Sequence, residues 1–243
     1  MVGTIMIRNN MYWAYQIKVD FIPGIDFFSR CLEEKIVPAF DSIENEADAV
    51  EREVFENPSD YIDLENYDPA DAAENAFERG LEYYQWMKGT LQGVINLFTA
   101  GLYHLLEQQL LLFYRQELLS IDEKNNMSLL EFNKAKSRLL THGINIENFE
   151  SWLKIDELRL VANTVKHADG SSAQNLQSRR PDLFSRSVTT SIMNSNITLG
   201  PVFTPLTGDS VYITQSEFKK YVSSVKKFWK EMCVALEEQI DTD

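Results

Sequence analysis

A chain of 243 residues with 44% apolar and 12% aromatic residues has ample material for a cooperative core, which excludes a disordered polypeptide. Two cysteines, Cys31 and Cys233, far apart in sequence, suggest neither a disulfide framework nor a zinc site. The net charge of −14 argues against a nucleic-acid partner over most of the surface, but it is concentrated: Asp41 to Glu82 holds 15 acidic residues against Arg52 and Arg79, whereas Tyr83 to Lys230 holds 17 basic against 13 acidic, so a phosphate ligand is compatible with the second half.

In chain order, the odd positions Met11, Trp13, Tyr15, Ile17, Val19 and Phe21 are apolar with polar residues between them. This period of two predicts a strand, and Asn9 with Asn10 would turn a hairpin from Thr4 to Phe21. After Pro23 and Gly24, the spacing of Phe28, Cys31, Leu32, Ile36, Phe40 and Ile43 is helical, with a kink expected at Pro38. The acidic stretch follows and reads as a solvated, partly flexible insertion over residues 41–67. Asp68 and Pro69 then give an N-cap with proline at the first helical position.

No proline interrupts the chain from there to about Leu118, which predicts one very long helix or two joined near Gly89. Gly89, Gly93, Ala100 and Gly101 offer a close-packing face. Leu91 to Phe113 is the most hydrophobic window, but its Gln92, Asn96, His104, Glu107, Gln108 and Gln109 argue against a membrane span. Ser128 with Glu131 predicts a capping box for a helix ending at Gly143. Ser151 to Gly170 is the next helix, Ser171 to Arg180 a short one closed by Pro181, and Ser187 to Thr214 a loop with short strands. Thr214 and Glu217 predict a capping box for a last helix, to about Ile240, that buries Phe218, Tyr221, Val222, Val225, Phe228, Trp229 and Met232.

The expected architecture is therefore mainly α: one domain over residues 1–243, a bundle of four to five long helices over 68–240, and a small β accessory formed by the hairpin (1–22) and a Val211 to Thr214 strand. The N-terminus lacks a basic and then apolar segment with a cleavage site, so a cytoplasmic, reducing setting is expected.

No Gly-rich phosphate loop, HExxH, CxxC or GxSxG pattern is present. His104 and Glu107 share a helix face, but no histidine follows a glutamate by three residues, as a di-iron bundle needs. His104 reads as a packed, hydrogen-bonded bundle histidine, and His142, beside Gly143, as a helix C-cap. The functional signal lies in SWLKIDELRLVANTVKHADG, where Arg159, Asn163 and His167 fall four residues apart and span roughly 80° of one helix face, with Asp156 and Lys166 near the same stripe. Leu153, Leu158, Leu160, Val161 and Val165 would fill the rest. Folding by itself does not require such a polar row. A histidine can move a proton near neutral pH, an arginine can neutralise a phosphate, and an asparagine can orient either. Cleavage of RNA by its own 2′-hydroxyl needs those functions and no metal or other cofactor. A wet helix face, with Asp156 paired to Arg159 or Lys166 and His167 capping the last turn, is the structural alternative.

An Asn-x-x-x-His pattern near the end of a helix in a long-helix bundle, here Asn163 to His167, resembles the HEPN superfamily, many of whose members are metal-independent endoribonucleases in toxin or phage-defence systems. The resemblance covers residues 68–240. It implies that Asn163 is the family's polar residue, that His167 is its acid or base, and that two protomers pair their motifs. The family places an arginine directly before the polar residue; this chain has Ala162 there, and Arg159 is the arginine one turn earlier on the same face. Lys166, Arg179 and Arg180 would bind phosphate, and Asp156 would orient the arginine. A homodimer acting on RNA is expected, with a cognate antitoxin or other protein as a further partner and no membrane. The competing expectation is a non-catalytic helical interaction domain that binds a protein partner or nucleotide through this site or the acidic segment.

Overall fold

The computed structural model describes Ile7 and residues 9–57, 68–184 and 200–239, and every regular element among them is helical. The α-helices are α1 (Asn10–Gln16), α2 (Ile22–Cys31), α3 (Ile43–Glu56), α4 (Pro69–Phe113), α5 (Phe132–Thr141), α6 (Trp152–His167), α7 (Ser171–Arg179) and α8 (Gln215–Glu238). The mainly helical class holds, and among the described residues no helix is long and apolar enough to cross a membrane.

The start signal of α4 works as its chemistry suggests: Asp68 accepts a 2.8 Å hydrogen bond from the Ala70 amide, and Pro69 occupies the first turn, where a missing N–H does no harm. Asp68→Ala is expected to destabilise this end by about 1 kcal/mol. Amide exchange over the first turn of α4 should quicken while the core stays protected.

Of the two alternatives near Gly89, the chain takes the unbroken one, 45 residues and roughly 65 Å long. The glycines serve packing: a Cβ on Gly93 would lie 1.9 Å from the Leu206 carbonyl oxygen and one on Gly89 2.6 Å from that of Thr207. A short 3-10 turn, Pro205–Thr207, therefore rests directly on the helix backbone. Fully buried Asn96 fastens it, donating from Nδ2 to the carbonyls of Pro205 and Val211, both at 2.8 Å, while its Oδ1 accepts from Gln92. These bonds satisfy loop carbonyls that have no strand partner.

The N-terminal hairpin does not form over the described residues. Residues from Asn10 to Ile36 run as a helical rod, with π-helical turns at Ile17–Phe21 and Leu32–Ile36 just ahead of Pro23 and Pro38. A widened turn accommodates the ring and the lost N–H of each proline. Trp13, Ile17 and Phe21 are spaced by four as well as by two; they are buried, whereas Met11, Tyr15 and Val19 of the same alternation face solvent. Ala14 and Ile25 complete the true, helical stripe. Glu117, just beyond α4, holds the rod's start, accepting from the Asn9 amide and side chain and from Trp13 Nε1. Residues 4–6 and 8 of the expected hairpin lie outside the described residues.

Val211 to Thr214 is likewise not a strand. Val211 and Ile213 point into the core, but the carbonyls are taken by Asn96 and Gln92, and the Tyr212 amide by Leu183. Residues 187–199 of the expected loop lie outside the described residues.

Capping was read correctly at some helix ends only. Thr214 caps α8 by accepting from the Glu217 amide at 3.1 Å, whereas the Glu217 carboxylate, expected to close a capping box, bonds Arg180, Lys154 and Lys220; all seven apolar residues expected on the α8 stripe are buried. Helix α5 ends as foreseen: Gly143 has φ 84°, its amide reaches the Leu140 carbonyl, and that of Ile144 reaches Leu139, with His142 as C-cap. Its start is different. Glu131 is the N-cap position, and Ser128 belongs to a preceding 3-10 turn (Met127–Leu129) held by Asn126.

The acidic segment, expected as a solvated, partly flexible insertion, is helical over most of its described part. Residues 43–56 form α3, which lies antiparallel along the first half of α4: Tyr83 donates to Glu46 at 2.6 Å, and a Cβ on Gly80 would meet Glu51 Cβ at 3.0 Å. Ile43, Ala47 and Val54 of α3 and Ala72 and Ala76 of α4 are buried in this arm. Those residues lie outside the contiguous core, which joins the N-terminal rod, the second half of α4, and α5 to α8. Residues 58–67 of the segment lie outside the described residues. Cys31 and Cys233 are both free thiols.

Candidate functional site

Helix α6 lies against the second half of α4 because Ile155, Leu158, Leu160, Val161, Ala162 and Val165 are buried; Leu153, expected among them, is 80% exposed. On α8, Glu231 fixes the start of α6 by accepting from the amides of Glu150 and Ser151. Held this way, the polar stripe opens onto a cleft of about 730 Å³ between α4, α5 and α6.

Asp156, Arg159, Asn163 and Lys166 line the cleft from α6. Opposite them α4 contributes Tyr103, His104 and Glu107, and α5 contributes Phe132, Asn133 and Lys136. Trp152 forms an aromatic wall, stacked on Phe132 with ring centroids 6.3 Å apart, and the Lys136 ammonium lies 5.7 Å from its ring centre. Burial raises the Tyr103 phenol pKa, and the Glu107 carboxylate adds to it, so this ring stays neutral.

Asp156 organises the cations. Its Oδ1 accepts from Arg159 Nε at 3.0 Å and Nη2 at 2.8 Å, and its Oδ2 accepts from Arg179 at 2.7 Å. Burial alone would push this carboxyl up, but Arg179 and Arg159 hold it below its ordinary range. Arg159 is thus aligned along the stripe, with three of its five N–H donors left for a ligand. Lys136 is paired with Glu147 at 2.9 Å. Among the described residues Lys166 has no ion pair, which makes it the cleft's uncommitted cation.

The remaining expected site residues lie elsewhere. His167 follows Lys166 at the exposed C-terminal end of α6 and does not line the cleft. Arg179 reaches Asp156 from outside. Arg180 is committed to a different cluster: its guanidinium bonds Glu157 at 2.5 Å, Glu217 at 2.8 Å and Asp182 at 2.7 Å, while Lys154 joins Glu157 and Glu217, and the Tyr221 hydroxyl donates to Glu157 at 2.6 Å. This cluster ties α6, the end of α7 and α8 together.

Sequence spacing missed His104. The hydrogen bond expected of it is present, Nδ1 lying 3.2 Å from Glu107 Oε2, but its side chain is 37% exposed in the cleft. The i, i+3 spacing was a visible signal, but only the contact of α4 with α6 brings that pair to face Arg159 and Asn163. Among the described residues no three His, Cys, Asp or Glu side chains gather to hold a metal ion. No family model, curated protein or solved structure matches this chain.

Proposed function

We propose that the chain is a HEPN-like helical bundle that binds RNA in this cleft and, as a cytoplasmic homodimer in a toxin–antitoxin or phage-defence setting, cleaves it without a metal. One observation carries the reading: the stripe of Arg159, Asn163 and Lys166 opens into a cleft shared with an imidazole–carboxylate pair and an aromatic wall. Arg159 and Lys166 would neutralise a backbone phosphate, and Trp152 would take the face of an unstacked base. A base removes the 2′-hydroxyl proton, the oxygen attacks the adjacent phosphorus, and an acid protonates the departing 5′-oxygen. Charge gathering on the phosphate oxygens is met by Arg159 and Lys166. Two-fold pairing would supply one His167 for each proton transfer, with Asn163 orienting the ring; His104 is the histidine already inside the cleft.

The test is cleavage of total cellular RNA and a transfer-RNA pool in excess EDTA. Wild type is expected to cut and His167→Ala to lose roughly 100-fold or more, with an unchanged circular dichroism spectrum. Cutting that survives His167→Ala but not His104→Ala would move the acid–base role into the cleft. If the folded wild type does not cut, the ribonuclease reading fails.

A second reading, a non-catalytic domain that binds a nucleotide or protein, is favoured by Asp156, which already pairs with both Arg159 and Arg179. It predicts that RNA or a nucleotide is retained and released uncut.

A further inference from the structure

The arm made by α3 and the first half of α4 carries a second concavity, separate from the cleft. Val50 and Val54 of α3, with Tyr83, Trp86, Met87 and Thr90 of α4, line an open groove of about 430 Å³. Trp86 stands 78% exposed on its wall, and the same arm leaves Phe55 at 52%, Phe77 at 56% and Leu81 at 42%. Single exposed apolar residues are ordinary, and of these four only Trp86 lines the groove, but a tryptophan standing exposed over a concavity walled by Val50, Val54 and Met87 marks an interaction surface.

Charge identifies the occupant. Helix α3 bears six acidic residues against Arg52, and helical spacing puts Glu46 and Glu53 beside Val50 and Val54. On the other wall Arg79 is spent on Glu82 at 2.9 Å. A second copy of this arm would oppose acid to acid, and nucleic acid would be repelled.

We propose that the α3–α4 arm docks a basic amphipathic helix of a partner protein, with apolar residues entering the groove against Trp86 and lysines or arginines meeting the acidic rim. The arrangement is helix-in-groove recognition, in which an apolar stripe supplies the anchor and the flanking charge sets orientation and association rate. Recognition here does not depend on the chemistry of the cleft.

A labelled synthetic helix of alternating lysine and leucine faces serves as the probe, titrated into the full chain by fluorescence anisotropy, with the blue shift of tryptophan emission as a second readout. The expected results are binding by this peptide, none by its glutamate–leucine counterpart, and weaker binding by a lysine–serine peptide of equal charge. Trp86→Ala and Glu53→Lys should each weaken the complex about tenfold or more. Leu153→Ala, at an exposed site on α6, should not. Equal binding by the lysine–serine peptide, or an unchanged affinity for Trp86→Ala, overturns the proposal. So does sedimentation of the wild type as a dimer that Trp86→Ala dissociates, because a second copy would then fill the groove.

Discussion

Arg180→Ala is expected to destabilise the protein by about 3 kcal/mol, the low end of what breaking a buried ion pair costs, because two lysines still face the buried carboxylate. For a chain of this size the melting temperature should fall by roughly 10 °C. Glu217, only 6% exposed, would keep Lys154 and Lys220 but lose the guanidinium, and Glu157 would lose it as well. Because α6, the end of α7 and α8 meet there, the damage should spread to the start of the helix that carries the candidate site. Adding Glu217→Gln should restore part of the loss, since it removes one of the stranded charges.

The same cluster sets an acid limit. Burial on its own would raise the Glu217 carboxyl, but hydrogen bonds from Arg180, Lys154 and Lys220 outweigh it and hold the pKa at about 2 against an ordinary 4.5. A carboxyl depressed in the folded state contributes stability that is complete above its unfolded value and is lost as pH falls through the folded one. The Glu217 contribution, at most about 3 kcal/mol by linkage, should therefore disappear between pH 4.5 and about pH 2. In Arg180→Ala the chemical-denaturation midpoint should vary less over that range. An equal acid sensitivity in both proteins would remove the cluster from this role.

Gly93→Ala should destabilise by about 3 kcal/mol, although alanine is the better helix former by about 1 kcal/mol. The added methyl would sit 1.9 Å from the Leu206 carbonyl oxygen and 2.8 Å from its carbon, both backbone atoms of a turn that Asn96 pins on its far side. Neither partner can yield without breaking those bonds. Gly208, at φ 78°, faces Gly89 across the same contact, so relief by sliding the turn is also blocked. Gly24→Ala, whose methyl would find nothing nearer than 3.9 Å, should be neutral or stabilising by up to about 1 kcal/mol. Thermal melts of the two variants give opposite signs if contact, rather than helix propensity, decides.

Local chemistry was legible wherever a residue's partner lies within a few positions of it. Asp68 and Pro69, Thr214 and Glu217, and Gly143 mark helix ends through bonds closed within one turn, and the seven apolar residues of α8 repeat at the helical period. The row of Asp156, Arg159, Asn163 and Lys166 could likewise be read as one face, because helix geometry alone places it. The N-terminal rod was misread for a related reason: Trp13, Ile17 and Phe21 satisfy a period of two and a spacing of four equally, and only the core selected the helix by burying Ala14 and Ile25 and leaving Met11, Tyr15 and Val19 outside. The Val211 to Thr214 segment then had no strand to pair with among the described residues, and the side-chain amides of Asn96 and Gln92 took its carbonyls instead.

The long helices from α4 to α8, several of their ends and the polar face of α6 could be read from the chain alone, since those depend on dihedral preference and spacing along it. The tertiary structure alone decided that His104 and Glu107 would share a cleft with Arg159, that Arg180 would be consumed by Glu157 and Glu217, and that the acidic segment would fold onto α4. Each is a contact between residues tens of positions apart, fixed by how apolar faces pack, and no local pattern encodes it.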